Sequence, residues 1–260
     1  MAVAPAPREI YERAAEEGEH RLQSTNLQLA SRSFIAGFNI VFGIIALGVV
    51  YALAHESFGR GAAELAGGIA FGIGLVLLVV GRSELFTENF LDPVAAAISG
   101  GGRRWALLVR LWVVTLAVNL VGGAVFVLLM TTEGAMPDGS PDALVRVAEE
   151  IAGEDGLAAF MNAIAAGAIL TLMTWLLQAV DSVGSRIVIA WITGAFVALG
   201  PFNHVVVSAL HLLFGIRYDA AVGWSDVAST LLIATAGNLL GGILFVTLTH
   251  IGQARSAGRA

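Results

Sequence analysis

Asn119-Leu120-Val121-Gly122-Gly123-Ala124-Val125-Phe126-Val127 recurs 119 residues further on as Asn238-Leu239-Leu240-Gly241-Gly242-Ile243-Leu244-Phe245-Val246, with six of nine residues identical. The same offset lays Gly81 onto Gly200. Both glycines interrupt apolar stretches, so the likeness extends beyond the helices to the breaks between them. Apolar runs lie at about 34–54, 61–80, 105–130, 157–180, 187–199 with 206–214, and 227–251. A hydrocarbon core about 30 Å thick takes about 20 helical residues to cross. Five runs satisfy this directly and the fifth in order is split. A further apolar piece, Leu91–Ser99, is too short to cross alone. Three spans in each half bring the halves into the bilayer from opposite sides, which is an inverted repeat. The expected fold is an all-α integral membrane protein of six transmembrane helices, a 3+3 inverted repeat with helices 2 and 5 broken.

Composition supports this. Apolar residues make up 57% and charged residues 13% of the 260, with a mean hydropathy of +0.81. A soluble domain carries about 25% charged residues, and a bundle with half that number could not cover itself in water. There is no cysteine, so neither a disulfide framework nor a thiolate metal site is expected. The polar, acidic N-terminus has no basic segment leading into an apolar one, and no cleavable signal is predicted.

Arginine placement sets the orientation, since the chain has no lysine. With the N-terminus cytoplasmic, the inside carries Arg8, Arg13, Arg21, Arg32, Arg103, Arg104, Arg110, Arg186, Arg255 and Arg259. The outside carries Arg60, Arg146 and Arg217, so ten stand against three. That bias places both termini inside. The expected organisation is a cytoplasmic arm, 1–33, with a short helix at about 8–22; a six-span channel domain, 34–251; and a cytoplasmic tail, 252–260. The repeat halves, about 34–130 and 157–251, are joined by an outward loop, 131–156, with seven acidic residues. The arm reads either as a solvated helix packed under the bundle or as a gate.

Both breaks are polar. The first runs Gly81-Arg82-Ser83-Glu84-Leu85-Phe86-Thr87-Glu88-Asn89-Phe90-Leu91-Asp92-Pro93, the second Gly200-Pro201-Phe202-Asn203-His204. Non-helical backbone at membrane depth is tolerated only inside protein or along a wet cavity. Asp92 as N-cap with Pro93 behind it is a good helix restart, and Asn203 is a candidate cap for the other. Two half-helices starting near the midplane would bring partial positive charge toward a pore, which favours an anion. An ionised Asp92 would offset part of that field. Arg82 is expected to pair with Glu84 or Glu88 and fix the loop, since charges at this depth are costly unless paired. A pore-facing carboxylate would instead repel anions. Gly68, Gly72, Gly122, Gly123, Gly241 and Gly242 are expected to allow close helix contact. Asn119 and Asn238 are expected to hold the loops by hydrogen bonds. His211, seven residues after His204, lies on the same helical face two turns on, and packing is the preferred reading for it over a second relay.

At the breaks the chain resembles the formate/nitrite transporter family. Leu85-Phe86-Thr87 is similar to that family's Leu-Phe-Thr, and Phe202-Asn203-His204 to its Phe-Glu-His. Asn119-Leu120-Val121-Gly122 and Gly237-Asn238-Leu239-Leu240-Gly241-Gly242 resemble its Asn-Leu-Ile-Gly and Gly-Asn-Ile-Ile-Gly-Gly stretches. The likeness runs from about Ala36 to Thr249. It implies an aquaporin-like protomer, a homopentamer, one pore per protomer and small monovalent permeants such as formate, nitrite, hydrosulfide or lactate. It also implies that Leu85 and Phe86 form an apolar constriction, that Thr87 faces the pore and that His204 is its central polar residue. The chain departs from the pattern at Asn203 (family glutamate), at Glu88 (commonly glycine), at Arg82 (usually small) and in lacking lysine near the fourth span's outer end. These mark a divergent branch.

A bare anion in a narrow apolar pore is costly, whereas its neutral acid is not. A midplane histidine offers a proton or hydrogen bond where that cost is greatest. The expected function is a channel or transporter for small monovalent anions or their weak acids in the inner (plasma) membrane, without a cofactor or metal and without nucleic-acid binding. The alternatives are a pore for a neutral solute or a cation, or a closed scaffold subunit. No His-Glu-x-x-His pair, Gly-x-Ser-x-Gly elbow or phosphate loop suggests an enzyme.

Overall fold

A computed structural model describes residues 5–256. Arg259 of the orientation count, and the extreme ends of the expected arm and tail, lie outside the described residues. The described chain is helical: α1 (Pro7–Leu22), α2 (Asn26–Val80), a 3-10 turn (Phe86–Phe90), α3 (Asp92–Gly100), α4 (Gly102–Met130), α5 (Ser140–Ala152), α6 (Gly156–Gln178), α7 (Val183–Leu199), α8 (Val205–Arg217), α9 (Trp224–Leu240), a π-helical turn (Gly241–Thr247) and α10 (Leu248–Ser256).

α1 starts on Pro7, with Glu9 reaching back to the Ala6 amide. α2 starts on a reciprocal cap: Thr25 Oγ1 accepts from the Gln28 amide (3.3 Å) and Gln28 Oε1 accepts from the Thr25 amide (3.0 Å), satisfying two donors that a helix start leaves free. α2 covers two of the apolar runs and bends back at Gly59, whose φ of 76° and ψ of 176° are open to glycine alone. Its two limbs then pack through Gly43 and Gly74, where a Cβ on Gly74 would lie 3.0 Å from the Gly43 Cα.

α2, α4, α6 and the continuous segment Trp224–Ser256 are each long and apolar enough to cross a membrane; α7 and α8 are shorter apolar helices. Their outer faces carry Val109, Val113, Leu128, Ile192 and Leu232, all more than half exposed, as suits a lipid-facing surface.

The offset of 119 reappears in the hydrogen bonds. Asn119 Nδ2 donates to the Glu84 carbonyl (2.9 Å) and its Oδ1 accepts from the Phe86 amide (2.9 Å). Asn238 Nδ2 donates to the Asn203 carbonyl (2.9 Å) and its Oδ1 accepts from the Val205 amide (3.0 Å). Each side-chain amide also donates at 2.8 Å to a carbonyl of the helix packed beside it, Ser33 for Asn119 and Ala163 for Asn238. Gly37 and Gly167 lie directly against the Asn119 and Asn238 carbonyls, where a side chain would collide with backbone. Gly37→Val and Gly167→Val are each expected to abolish recovery of folded protein, because overpacking against a carbonyl has no flexible neighbour to give way. Gly61→Ala, which meets nothing within 4 Å, is expected to fold normally; size-exclusion profiles of the three variants check this.

The segment 131–156, expected as a loop, holds the 13-residue helix α5. Its Ala143, Leu144 and Ala148 are buried, and the acidic residues around them hid that short apolar face.

Candidate functional site

Two clefts open at opposite ends of the bundle. One, of about 570 Å³, is lined by Tyr51, Glu64, Arg146, Phe202, Asn203 and His211 among others; the second, of about 390 Å³, by Arg21, Arg82, Glu84, Glu88 and Gln178 among others. α7 shows which ends these are. Its N-terminal Val183 lines the second cleft, while Val197, Ala198 and Leu199, near its C-terminus, line the first. The clefts share no lining residue.

Between them the two breaks meet. Thr87 Oγ1 and His204 Nε2 are 2.7 Å apart, and both residues are buried. Thr87 adjoins Glu88 of one cleft in sequence, and His204 adjoins Asn203 of the other. His204 is also the N-cap of α8, its Nδ1 accepting from the Val207 amide at 3.3 Å. An acceptor Nδ1 leaves the proton of the neutral ring on Nε2. The Nε2–H therefore donates to Thr87 Oγ1, and the Thr87 hydroxyl keeps its own proton to offer elsewhere. Leu85 and Phe86 are buried against the central core and Phe86 stacks edge-on with Phe90 (5.0 Å). Phe202 is half-buried, lining the first cleft and packing on Phe196 (5.1 Å).

Two expected caps are corrected. Asp92 is the first residue of α3, with Leu91 at the cap position. Its carboxylate turns to Gln178 Nε2 (2.9 Å) and Arg21 (3.5 Å). Asn203 does not cap α8, because His204 holds that place; its Oδ1 is buried without a hydrogen-bond partner.

The expected pairing of Arg82 with Glu84 or Glu88 is also corrected. Arg82 leaves α2 at a positive φ of 53°, which turns its side chain outward to 83% exposure, 3.9 Å from Glu17. Arg21, from α1, takes the inner position. Its guanidinium lies 3.1 Å from Glu84, 3.5 Å from Asp92 and 3.3 Å from both Glu17 and Asn89 Oδ1. Burial works against that charge, but the carboxylates of Glu84, Asp92, Glu88 and Glu17 outweigh it and raise the Arg21 pKa above its usual range. Glu88 lines the second cleft and makes no ion pair among the described residues.

Sequence reasoning missed Arg21, Gln178, Trp112 and Thr247. Trp112 Nε1 donates to the Asn89 carbonyl (2.9 Å), and Thr247 Oγ1 to the Phe90 carbonyl (2.7 Å) from within the π-helical turn. A signal for Arg21 was present. Ile10, Ala14, Gly18 and Leu22 repeat every four residues and are buried, and Arg21 lies beside that stripe. Among the described residues no cluster of histidine, aspartate and glutamate could hold a metal ion.

Two interrupted helices, each pinned by an asparagine of a later helix and meeting at a buried Thr–His pair between opposed clefts, define a channel-like architecture. The chain belongs to the formate/nitrite transporter family, whose profile matches residues 8–252. It is 32% identical over 245 residues to the probable formate transporter of Methanothermobacter thermautotrophicus, covering 84% of this chain and 85% of that one. It is 25% identical over 244 residues to the inner membrane protein YfdC of Escherichia coli (strain K12), covering 93% and 77%. A solved structure described as a pentameric formate channel with formate bound superposes with a TM-score of 0.75 at 23% identity, covering 86% of this chain and 96% of that one. The names of these relatives are those of transporters and membrane proteins, as the sequence reading of a non-enzyme expects.

Proposed function

We propose that this chain forms a pore for small monovalent anions or their weak acids, formate and nitrite first among them, in the inner (plasma) membrane. The observation that carries this is the Thr87–His204 hydrogen bond, buried where the two breaks meet between clefts at opposite ends. In this reading the permeant meets the Thr87 hydroxyl as a hydrogen-bond donor, with His204 holding it by Nε2–H, and Leu85, Phe86 and Phe202 supply the apolar narrowing on either side. Asn119 and Asn238 hold the loops in place, joined at the first break by Glu84 through Arg21. α3 and α8 start toward the centre and their N-termini favour negative charge there.

The reading includes six spans as an inverted repeat, supported by the matched asparagine contacts. It places arm 1–33 and tail 252–260 in the cytoplasm, supported by the arginine bias, with α5 on the outer side. It takes the assembly to be a homopentamer in lipid with one pore per protomer, supported by the solved relative's description.

A second reading, a pore for a neutral solute or cation or a closed scaffold, is favoured by the carboxylates of Glu84, Glu88 and Asp92 at the inner break, all buried. Reconstitution into liposomes separates the two. Formate or nitrite uptake well above that of empty vesicles over pH 5 to 8 is the expected result, rising as the external pH falls. No uptake of either refutes the anion reading and turns the search to neutral solutes and cations.

A further inference from the structure

We propose that Asn203, Ser208 and His211 form a binding subsite for a small weak acid at the inner end of the outer cleft, one step before the Thr87–His204 pair. This rests on the pore reading above and names a position along it. Asn203, Ser208 and His211 are 5%, 3% and 3% exposed, and all three line the same cleft. They are ordered by one helix. His204 caps α8, and at 3.6 residues per turn Ser208 and His211 return to within about 40° of its direction. The track therefore leads from the cleft to the buried pair.

Two of these side chains lack partners. Asn203 Oδ1 and His211 Nδ1 are buried atoms without a hydrogen bond. Buried polar atoms are almost always paired, and one that is not is relieved when a ligand supplies the missing partner. Asn203 brings an uncharged amide to this point.

The chemistry of the three groups selects the ligand. An amide, a hydroxyl and an imidazole each donate and accept without net charge, which suits a small acid with one O–H and neighbouring oxygen acceptors. The charged groups of the cleft are engaged elsewhere. Glu64 Oε1 accepts from Arg60 (2.7 Å) and Arg146 (2.6 Å), Arg60 also reaches Glu150 (3.4 Å), and the Arg146 guanidinium lies 4.3 Å over the Tyr51 ring. Among the described residues the rim thus has no free cation with which to hold a bare anion, and the polar track is where a ligand would stop.

The test is a titration of the purified full-length chain in nanodiscs with ¹³C-labelled formate, read by NMR line broadening, beside formate flux in liposomes. The dissociation constant is expected to weaken by about fivefold or more in Asn203→Leu, in His211→Phe and in the smaller truncation Ser208→Ala, as the loss of one hydrogen bond requires. The half-saturating concentration for flux is expected to rise in step. An unchanged dissociation constant in Ser208→Ala and either larger variant, with the wild-type size-exclusion profile, overturns the subsite, as does a wild type that does not broaden the signal. Binding without flux would refute the pore reading and leave the subsite standing; flux with unchanged binding in the variants would do the reverse.

Discussion

Arg21→Ala is expected to lower the unfolding midpoint of the purified protein by about 10 °C or more, the largest stability effect of any charge substitution in the chain. The Glu84 and Asp92 side chains it touches are 4% and 0% exposed. Removing one member of a buried charge pair costs about 3–5 kcal/mol, because the other is left without compensation. Here one guanidinium serves two such carboxylates, and Arg32, at 4.0 Å from Glu84, is too far and too exposed to replace it. The triple variant Arg21→Met, Glu84→Gln, Asp92→Asn is expected to regain most of the loss, since it neutralises the two buried carboxylates that the guanidinium contacts directly. Equal losses in the single and triple variants would show that α1 matters through packing at Gly18 rather than through charge. Arg8→Ala serves as the comparison. Its pair with Glu12 is 63% and 59% exposed, and its removal is expected to change stability by no more than about 0.5 kcal/mol. Thermal melts of the four proteins decide among these outcomes.

His204→Phe is expected to cut formate or nitrite flux by about tenfold to a hundredfold. In the proposed pore the Thr87 hydroxyl then loses the Nε2–H that holds it, so the permeant meets an unheld donor and forfeits a hydrogen bond worth about 1.5–3 kcal/mol when the partner is charged, and about 1.4 kcal/mol is a factor of ten. Thr87→Val removes the hydroxyl without changing the shape and is expected to fall in the same range, while Thr87→Ser keeps the donor and is expected to retain flux. The double variant His204→Phe, Thr87→Val should be little worse than either single one, because the two groups act as one donor. Losses that multiply instead would mean that the two residues contact the permeant separately. His204 also caps α8, so a melt must accompany the flux measurement. A lost N-cap costs about 1 kcal/mol, well short of unfolding.

The positions of the breaks were legible because glycine, proline and polar residues interrupt long apolar runs at the same offset that aligns Asn119 with Asn238. Their partners were not. Nothing in local spacing says that Asn119 reaches back 33 residues to Phe86, although the repeat itself flags both asparagines as paired features. The ion pairs of the first break were misplaced for a definite reason. Charge spacing along the loop favours Arg82 with Glu84 or Glu88, but the positive φ at Arg82 turns it away. The cation that replaces it comes from α1, 63 residues before Glu84. His204 was readable as part of the second break, yet its role as α8 cap follows only from backbone geometry at Val207. α5 escaped because three buried apolar positions in 13 residues do not stand out against the charges around them.

The asparagine contacts also bear on how the chain is made. Every side-chain partner of Asn119 lies earlier in the chain, at Ser33, Glu84 and Phe86, and every partner of Asn238 lies between Ala163 and Val205. The first break can therefore lock once its asparagine has entered the bilayer, without a contact from any residue of the second half to that side chain. The second half repeats the step on its own residues. The bonds that cross from one half to the other, such as Thr87 to His204 and Thr247 to Phe90, need both halves, so the junction of the two breaks is expected to close only after each half has set on its own contacts.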